Sequence, residues 1–214
     1  MSSIPNLDPR YFVPDLSPQQ RGEVRNFFVD RVFVAESPHI HEVEPEDRNE
    51  RRPLCGAAGR RWWRMLGELL EQAPLQDLCS KSLVDFCAKH RFAVLNAIQF
   101  PLDPAVTRLF PQADPLKTLG FSKAAGVRRY KRMKDSEEVR GRLTELRARL
   151  EHPALAGKPI YALGKDAEWF LLQALGDLKQ PASVGWIPHP SAWWRQGGKL
   201  ENDAREKLKQ VFDC

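Results

Sequence analysis

Four brief apolar runs, at 31–35 (RVFVA), 92–98 (FAVLNAI), 159–163 (PIYAL) and 182–187 (ASVGWI), constrain the fold of this chain more than any other feature. Each is short, rich in β-prone residues and bounded by polar or turn residues, which is the pattern of a buried strand. Helical patterns separate them. In AAGRRWWRMLGELLEQ the residues Trp62, Met65, Leu66, Leu69 and Leu70 fall at i, i+3, i+4, i+7 and i+8 and make one apolar stripe. Ala167, Phe170, Leu171, Ala174 and Leu175 repeat that spacing after YALGKDAEW. SEEVRGRLTELRARL opens on a serine N-cap followed by two glutamates, and ENDAREKLKQVF closes the chain. Strands alternating with helices predict an α/β fold, a three-layer α/β/α sandwich around a central, mainly parallel four-stranded sheet covered on both faces.

Ligands bind such sheets beyond the carboxyl ends of the strands. Three polar clusters follow strands directly: ESPHIH after the first, NAIQFP after the second and PHPSAWWR after the last. They are therefore expected to converge on one cleft.

A chain of 214 residues that is 42% hydrophobic fits one globular domain, 1–214, with residues 1–20 as a Pro-rich extended lead-in and 112–135 as a basic insertion. No apolar run is long enough to cross a bilayer, and the first residues lack the pattern of a signal peptide. A soluble, cytoplasmic monomer without membrane contact is the expectation. Cys55, Cys79, Cys87 and Cys214 show no spacing of a zinc ribbon or iron–sulphur site, so they read as reduced thiols, and no metal or other cofactor is expected. The net charge is only +5, but it is unevenly spread. KTLGFSKAAGVRRYKRMK carries Lys117, Lys123, Arg128, Arg129, Lys131, Arg132 and Lys134 with no acid, and intersperses glycines and Tyr130. That composition suits a grip on phosphates, and equally suits a solvated loop.

The stretch VAESPHIHEVEPEDRNERRPLCGAAGRRWWRML resembles the first motif of the uracil-DNA glycosylase superfamily, above all its family four, in which a strand leads into G-E-A-P-G, then E-D-R, then R-P-F-V-G-x-A-G and a helix. The matching residues are Glu36 and Pro38, Glu46 to Arg48, Arg52 and Pro53, Gly56, Ala58 and Gly59. VLNAIQ is similar to the second motif, with Asn96 in the place of the asparagine that reads the flipped pyrimidine. IYALGKDAEWFLL is similar to the L-G-x-x-A segment, and PHPSAWWR to the closing H-P-S-A-L-L-R. The four likenesses occur in the family's order and reach from about residue 31 to 195.

The resemblance implies a DNA glycosylase, a hydrolase of N-glycosyl bonds that rotates a nucleotide out of the stack and leaves an abasic site. The reaction develops positive charge on the sugar and negative charge on the departing base, so it needs a carboxylate, a base reader and a donor to the leaving group. Glu36 would offset the sugar's charge or orient the attacking water. Asn96 offers a donor and an acceptor to a pyrimidine's pairing edge. His189 would donate to O2 of the base, and Ser191 would hold a backbone phosphate. Trp193 and Trp194 stand where the family has its leucine wedge, with Arg195 beside them and Lys123, Arg128, Arg129 and Lys131 as further contacts to DNA. Pro38, His39, Leu54, Cys55, Gly56 and Phe100 are the candidate walls of the base pocket. Ser37 falls among the catalytic positions, although a serine is no general base at neutral pH without a partner.

Departures from the family pattern bear on substrate. The iron–sulphur cysteines are absent: none precedes Cys55, and Phe100 stands about where another would sit. Leu54 replaces the phenylalanine on which the family stacks uracil, so Trp62 or Phe100 would have to supply an aromatic floor. Ser37 and His39 occupy the alanine and glycine of E-A-P-G, and an imidazole facing the pyrimidine's C5 would crowd plain uracil or bond to a polar C5 substituent. Two substrates stay open: uracil, removed in repair, and a hypermodified phage cytosine such as glucosylated hydroxymethylcytosine, removed in anti-phage defence. The proposed cleft motifs contain no lysine, which argues against a Schiff-base lyase step. Two other classes also stay open. One is a metal-dependent hydrolase built on His39 and His41, and the other a non-catalytic module that binds damaged bases.

Overall fold

The computed structural model describes residues 29–43, 52–99, 102, 135–151, 155–176 and 183–214. Four strands form one sheet: β1 (Arg31–Ala35), β2 (Phe92–Asn96), β3 (Ile160–Leu163) and β4 (Val184–Ile187). Their order is β2-β1-β3-β4 and every pairing is parallel, with Ala35 beside Asn96, Val34 beside Ala162 and Leu163 beside Ile187. The helices are α1 (Ile40–Val43), α2 (Ala57–Leu70), α3 (Ser80–Lys89), α4 (Glu137–Leu150), α5 (Lys165–Leu175) and α6 (Lys199–Phe212). Among the described residues no helix is long and apolar enough to cross a membrane.

The apolar runs become strands because their alternate residues serve two cores. Val32 and Val34, Ala93 and Leu95, and Ile160 and Ala162 join Val139 and Leu146 of α4 and Phe170 and Leu171 of α5 on one face. Phe33 and Ala35, Phe92 and Val94, Leu163 and Ile187 join α2, α3 and α6 on the other. The result is three layers, helices on both faces of a parallel sheet. Phe33 sits at the centre of the second core, 5.0 Å from the Trp62 ring and 5.5 Å from that of Phe92, both edge-on. Each such ring contributes about 1.5–3 kcal/mol by leaving water.

Local chemistry sets the element ends. The hydroxyl of Ser136 accepts the Val139 N–H at 3.3 Å, the N-cap the sequence predicts. The second apolar run is a strand only as far as Asn96, not Ile98; past it Ala97 donates to Ala35 and Ile98 to Glu36, which keep the two strand exits together. The third and fourth runs start later than their patterns, at Ile160 and Val184. Helix α3 is not among those the periodicity predicts. The lead-in 1–20 and, apart from Asp135, the insertion 112–135 lie outside the described residues.

The path of the chain places a site. From β1 it steps to one side to form β2, then crosses back over β1 to form β3 and β4 on the other side. The strand order thus reverses between β1 and β3, the point at the carboxyl edge where parallel α/β sheets bind their ligands.

Candidate functional site

Glu36 leaves the end of β1 half-exposed, and its carbonyl accepts the Ile98 N–H at 2.9 Å, which locks the β1 and β2 exits together. Ser37 is half-buried and Pro38 buried. His39 is exposed, its ring lying against Gly56: a Cβ on that glycine would come within 2.7 Å of the His39 Cδ2. His39 Nδ1 accepts the backbone N–H of His41 at 3.3 Å, so the neutral ring carries its proton on Nε2. The two imidazoles lie 4.8 Å apart between centroids. Among the described residues no group of three or more His, Cys, Asp or Glu side chains is arranged to hold a metal ion.

The side chain that organises this edge is Glu42, on the four-residue helix α1, which the sequence reading does not single out. It is 1% exposed. One carboxylate oxygen accepts the His39 N–H at 2.9 Å, and the other accepts Asn96 Nδ2 at 3.3 Å. The backbone N–H groups of Leu54 and Cys55 add two further bonds. Consecutive amides can aim at one carboxylate because Leu54 has φ +52°, a left-handed conformation that turns the chain into an anion-cradling nest. Such a backbone costs a leucine about 1–2 kcal/mol, held here by packing. The Leu54 carbonyl runs so close to α2 that a Cβ at position 59 would lie 1.4 Å from it, which is why a glycine stands there. Trp63 Nε1 donates to the Pro53 carbonyl at 3.0 Å and pins the same turn. Burial pushes the Glu42 carboxyl from its ordinary 4.5 up to about 7, against the pull of its N–H donors. The Cys55 thiol beside it is pushed up to about 12, first by burial and then by the charge of Glu42.

Asn96 closes this cluster from β2. Its side chain is 2% exposed, Nδ2 is engaged by Glu42, and Oδ1 is buried with no partner among the described residues. Behind it, Arg149 of α4 donates to the carbonyls of Asn96 at 3.0 Å and Ala97 at 2.8 Å, and Gln99 Nε2 donates to the Asn96 carbonyl at 2.7 Å. The guanidinium is largely buried, which lowers its pKa to about 10, and among the described residues its Nε has no partner.

His189 follows β4 at the same carboxyl edge, two strands over from the strand that leads into Glu36. Its Nδ1 accepts the Ser191 N–H at 3.2 Å and lies 2.7 Å from the Ser191 hydroxyl. A backbone N–H can only donate, so Nδ1 is the acceptor and the neutral ring carries its proton on Nε2. Gly164, with φ +93°, passes under this turn: a Cβ there would stand 2.8 Å from His189 Cβ.

The structure corrects several expectations. Trp193 is not a DNA contact; it is 1% exposed, part of the core, and its Nε1 donates to the Pro188 carbonyl at 2.8 Å. Trp194 alone of the pair faces outward, 64% exposed, its Nε1 held by the Ser191 carbonyl at 2.9 Å. The exposed Ser191 hydroxyl lies beside the imidazole of His189 and helps to orient the ring. The side chain of Leu54 belongs to the core; what the residue gives the site is its N–H. Trp62 supplies no aromatic floor, being wholly buried against Phe33. Cys55 is half-buried and Gly56 buried beside these groups. Arg195 lies on the short turn Arg195–Gly198, its side chain outside the description. Phe100, Lys123, Arg128, Arg129 and Lys131 lie outside the described residues. No protein-family model matches the chain, and no curated protein matches its sequence.

Proposed function

We propose that the protein is a DNA glycosylase that draws a modified pyrimidine out of DNA and hydrolyses its N-glycosidic bond, leaving an abasic site. The observation that carries this reading is Asn96: a buried amide oxygen with no partner among the described residues, at the carboxyl edge of a parallel sheet, beside a carboxylate that fixes which way the amide points. An orphaned buried acceptor costs free energy in the empty protein unless a ligand supplies the missing donor. A nucleobase supplies it.

Each step then has a group. Asn96 reads the pairing edge of the flipped base. Glu36, half-exposed at the neighbouring strand exit, offsets the charge that grows on the sugar or holds the attacking water. His189, its tautomer set by Ser191, offers Nε2–H to the oxygen of the departing base. Trp194 fills the gap in the stack, and the basic segment Lys117–Lys134 holds phosphates. His39 over Gly56 favours a polar C5 substituent over plain uracil, so a hypermodified cytosine stands beside uracil as substrate. The protein acts as a monomer on DNA.

The experiment is a panel of oligonucleotides, each with one altered base, incubated with the protein and treated with hot alkali. Strand breaks at one modified pyrimidine, lost in Asn96→Ala, are expected. Tight binding to that oligonucleotide without any break would instead indicate a binding module.

A further inference from the structure

We propose that Glu42 is the specificity switch of the site: its proton selects between two orientations of the Asn96 amide, and so between pyrimidines with a keto and with an amino group at C4. The proposal rests on the glycosylase reading and names the substrate class that reading leaves open.

The geometry comes first. Among the described residues the groups seen bonded to Glu42, the N–H of His39, Leu54 and Cys55 and the Nδ2 of Asn96, are donors. An ionised carboxylate satisfies them, and it compels the Asn96 amide to turn Nδ2 toward it. Oδ1 and the second Nδ2 hydrogen then form the edge left for a base. With O2 of the base toward His189 and N3 toward Oδ1, that edge matches a ring N3–H and a C4 carbonyl, the pattern of uracil and its 5-substituted forms. A proton on Glu42 reverses the demand. The carboxyl O–H needs an acceptor, the three backbone groups offer none, and among the described residues Asn96 Oδ1 is the unpartnered acceptor beside it. The amide turns over, Oδ1 takes the O–H, and the exchanged edge matches the N3 acceptor and C4 amino group of cytosine and its 5-substituted forms.

The switch falls in the working range because burial lifts Glu42 to about 7. Among the described residues, the titratable and charged groups around it are the following. Cys55, on the turn before α2, is held neutral by burial, and Arg52 and Arg60 beyond it act on that thiol. His39 and His41 stand on the chain leading into α1, their rings side by side on the exposed rim, and Glu36 stands at the β1 exit. Asn96 contributes no charge from β2.

The test uses the whole protein and paired duplexes that differ in one base: uracil against cytosine, and 5-hydroxymethyluracil against 5-hydroxymethylcytosine. Single-turnover excision is read as the keto-to-amino ratio from pH 6 to 8.5, so that effects common to both bases cancel. The ratio is expected to rise at least tenfold with a midpoint near 7, and Glu42→Gln, whose amide must donate to Oδ1, is expected to stay at the low-pH ratio throughout. A constant ratio, a change in the opposite sense, or removal of one class alone at every pH overturns the switch. Should no base be excised at all, the glycosylase reading fails separately, and the switch is then judged without substrate. The side-chain amide resonance of Asn96, assigned by its loss in Asn96→Asp, should shift with a midpoint near 7 in the native protein and not in Glu42→Gln. A resonance indifferent to pH refutes it.

Discussion

Glu42 makes the clearest case for how one side chain can carry a loop. Truncating it to alanine strands three backbone N–H groups and the Asn96 amide in the interior, at about 1–3 kcal/mol for each group left dry. Partial relaxation leaves an expected net loss of about 3 kcal/mol in urea unfolding. Its ionisation also leaves a mark on stability. The folded pKa is raised above the unfolded one, so the stabilising contribution is complete below about 4.5, is lost as the pH rises, and is gone above about 7. Linkage over that interval is worth on the order of 3 kcal/mol. Urea midpoints of the native protein, minus those of Glu42→Gln, should fall across that window and level off above it; a flat difference would show that the carboxyl titrates normally. The tryptophan pair gives a second contrast. Trp193→Ala should cost about 3–5 kcal/mol because it empties a core site. Trp194→Ala, at an exposed position, should leave the thermal midpoint within a degree or two yet weaken excision at least tenfold, and equal loss of stability in both would contradict this division of roles.

Among the elements, the turn before α2 and helix α4 do the positioning. The turn needs a left-handed Leu54, and α2 makes room for its carbonyl only at Gly59. Gly59→Ala must therefore push the turn off the helix, and a loss on the order of 3 kcal/mol together with loss of excision is expected. Helix α4 acts through Arg149, which clamps the carbonyls just beyond β2. Arg149→Met keeps most of the bulk and removes two charged hydrogen bonds. A loss of about 2–3 kcal/mol is expected, with the fall in excision exceeding what the folded fraction explains, because Asn96 is no longer held from behind. Circular dichroism melts run beside single-turnover rates separate the two effects.

For the whole molecule, the two cores on either face of the sheet set what tolerates change. The second core is closed by the last turn of α6, where Phe212 stacks on Phe33 at 5.9 Å between centroids and Arg31 donates to the Val211 carbonyl at 2.7 Å. Phe212→Ala should cost about 2–3 kcal/mol, though it lies at the far end of the sheet from the site. Excision by the fraction that remains folded should be unchanged. A loss of rate in folded protein would mean that the core transmits strain to the carboxyl edge.

The strands, the helices α2, α4, α5 and α6 and the carboxyl-edge position of the polar clusters were legible in the sequence, because short apolar runs alternating with 3.6-residue stripes admit few arrangements. Asn96 stood out as the polar residue within the second run, and His189 by following the end of the fourth. Glu42 did not. In sequence it is one acid among Glu36, Glu44 and Glu46, on a helix of four residues, and nothing local marks it as buried. Only the tertiary structure brings the Leu54–Cys55 amides and the Asn96 side chain around it, from positions 12 and 54 residues further along the chain. The fate of the tryptophan pair was hidden likewise: adjacent residues point apart, and which of them meets the core depends on where the turn after β4 sits against α2 and α6. Periodicity encodes which faces are buried, whereas the ionisation and partners of a single polar group are set by contacts between distant segments, which no local pattern records.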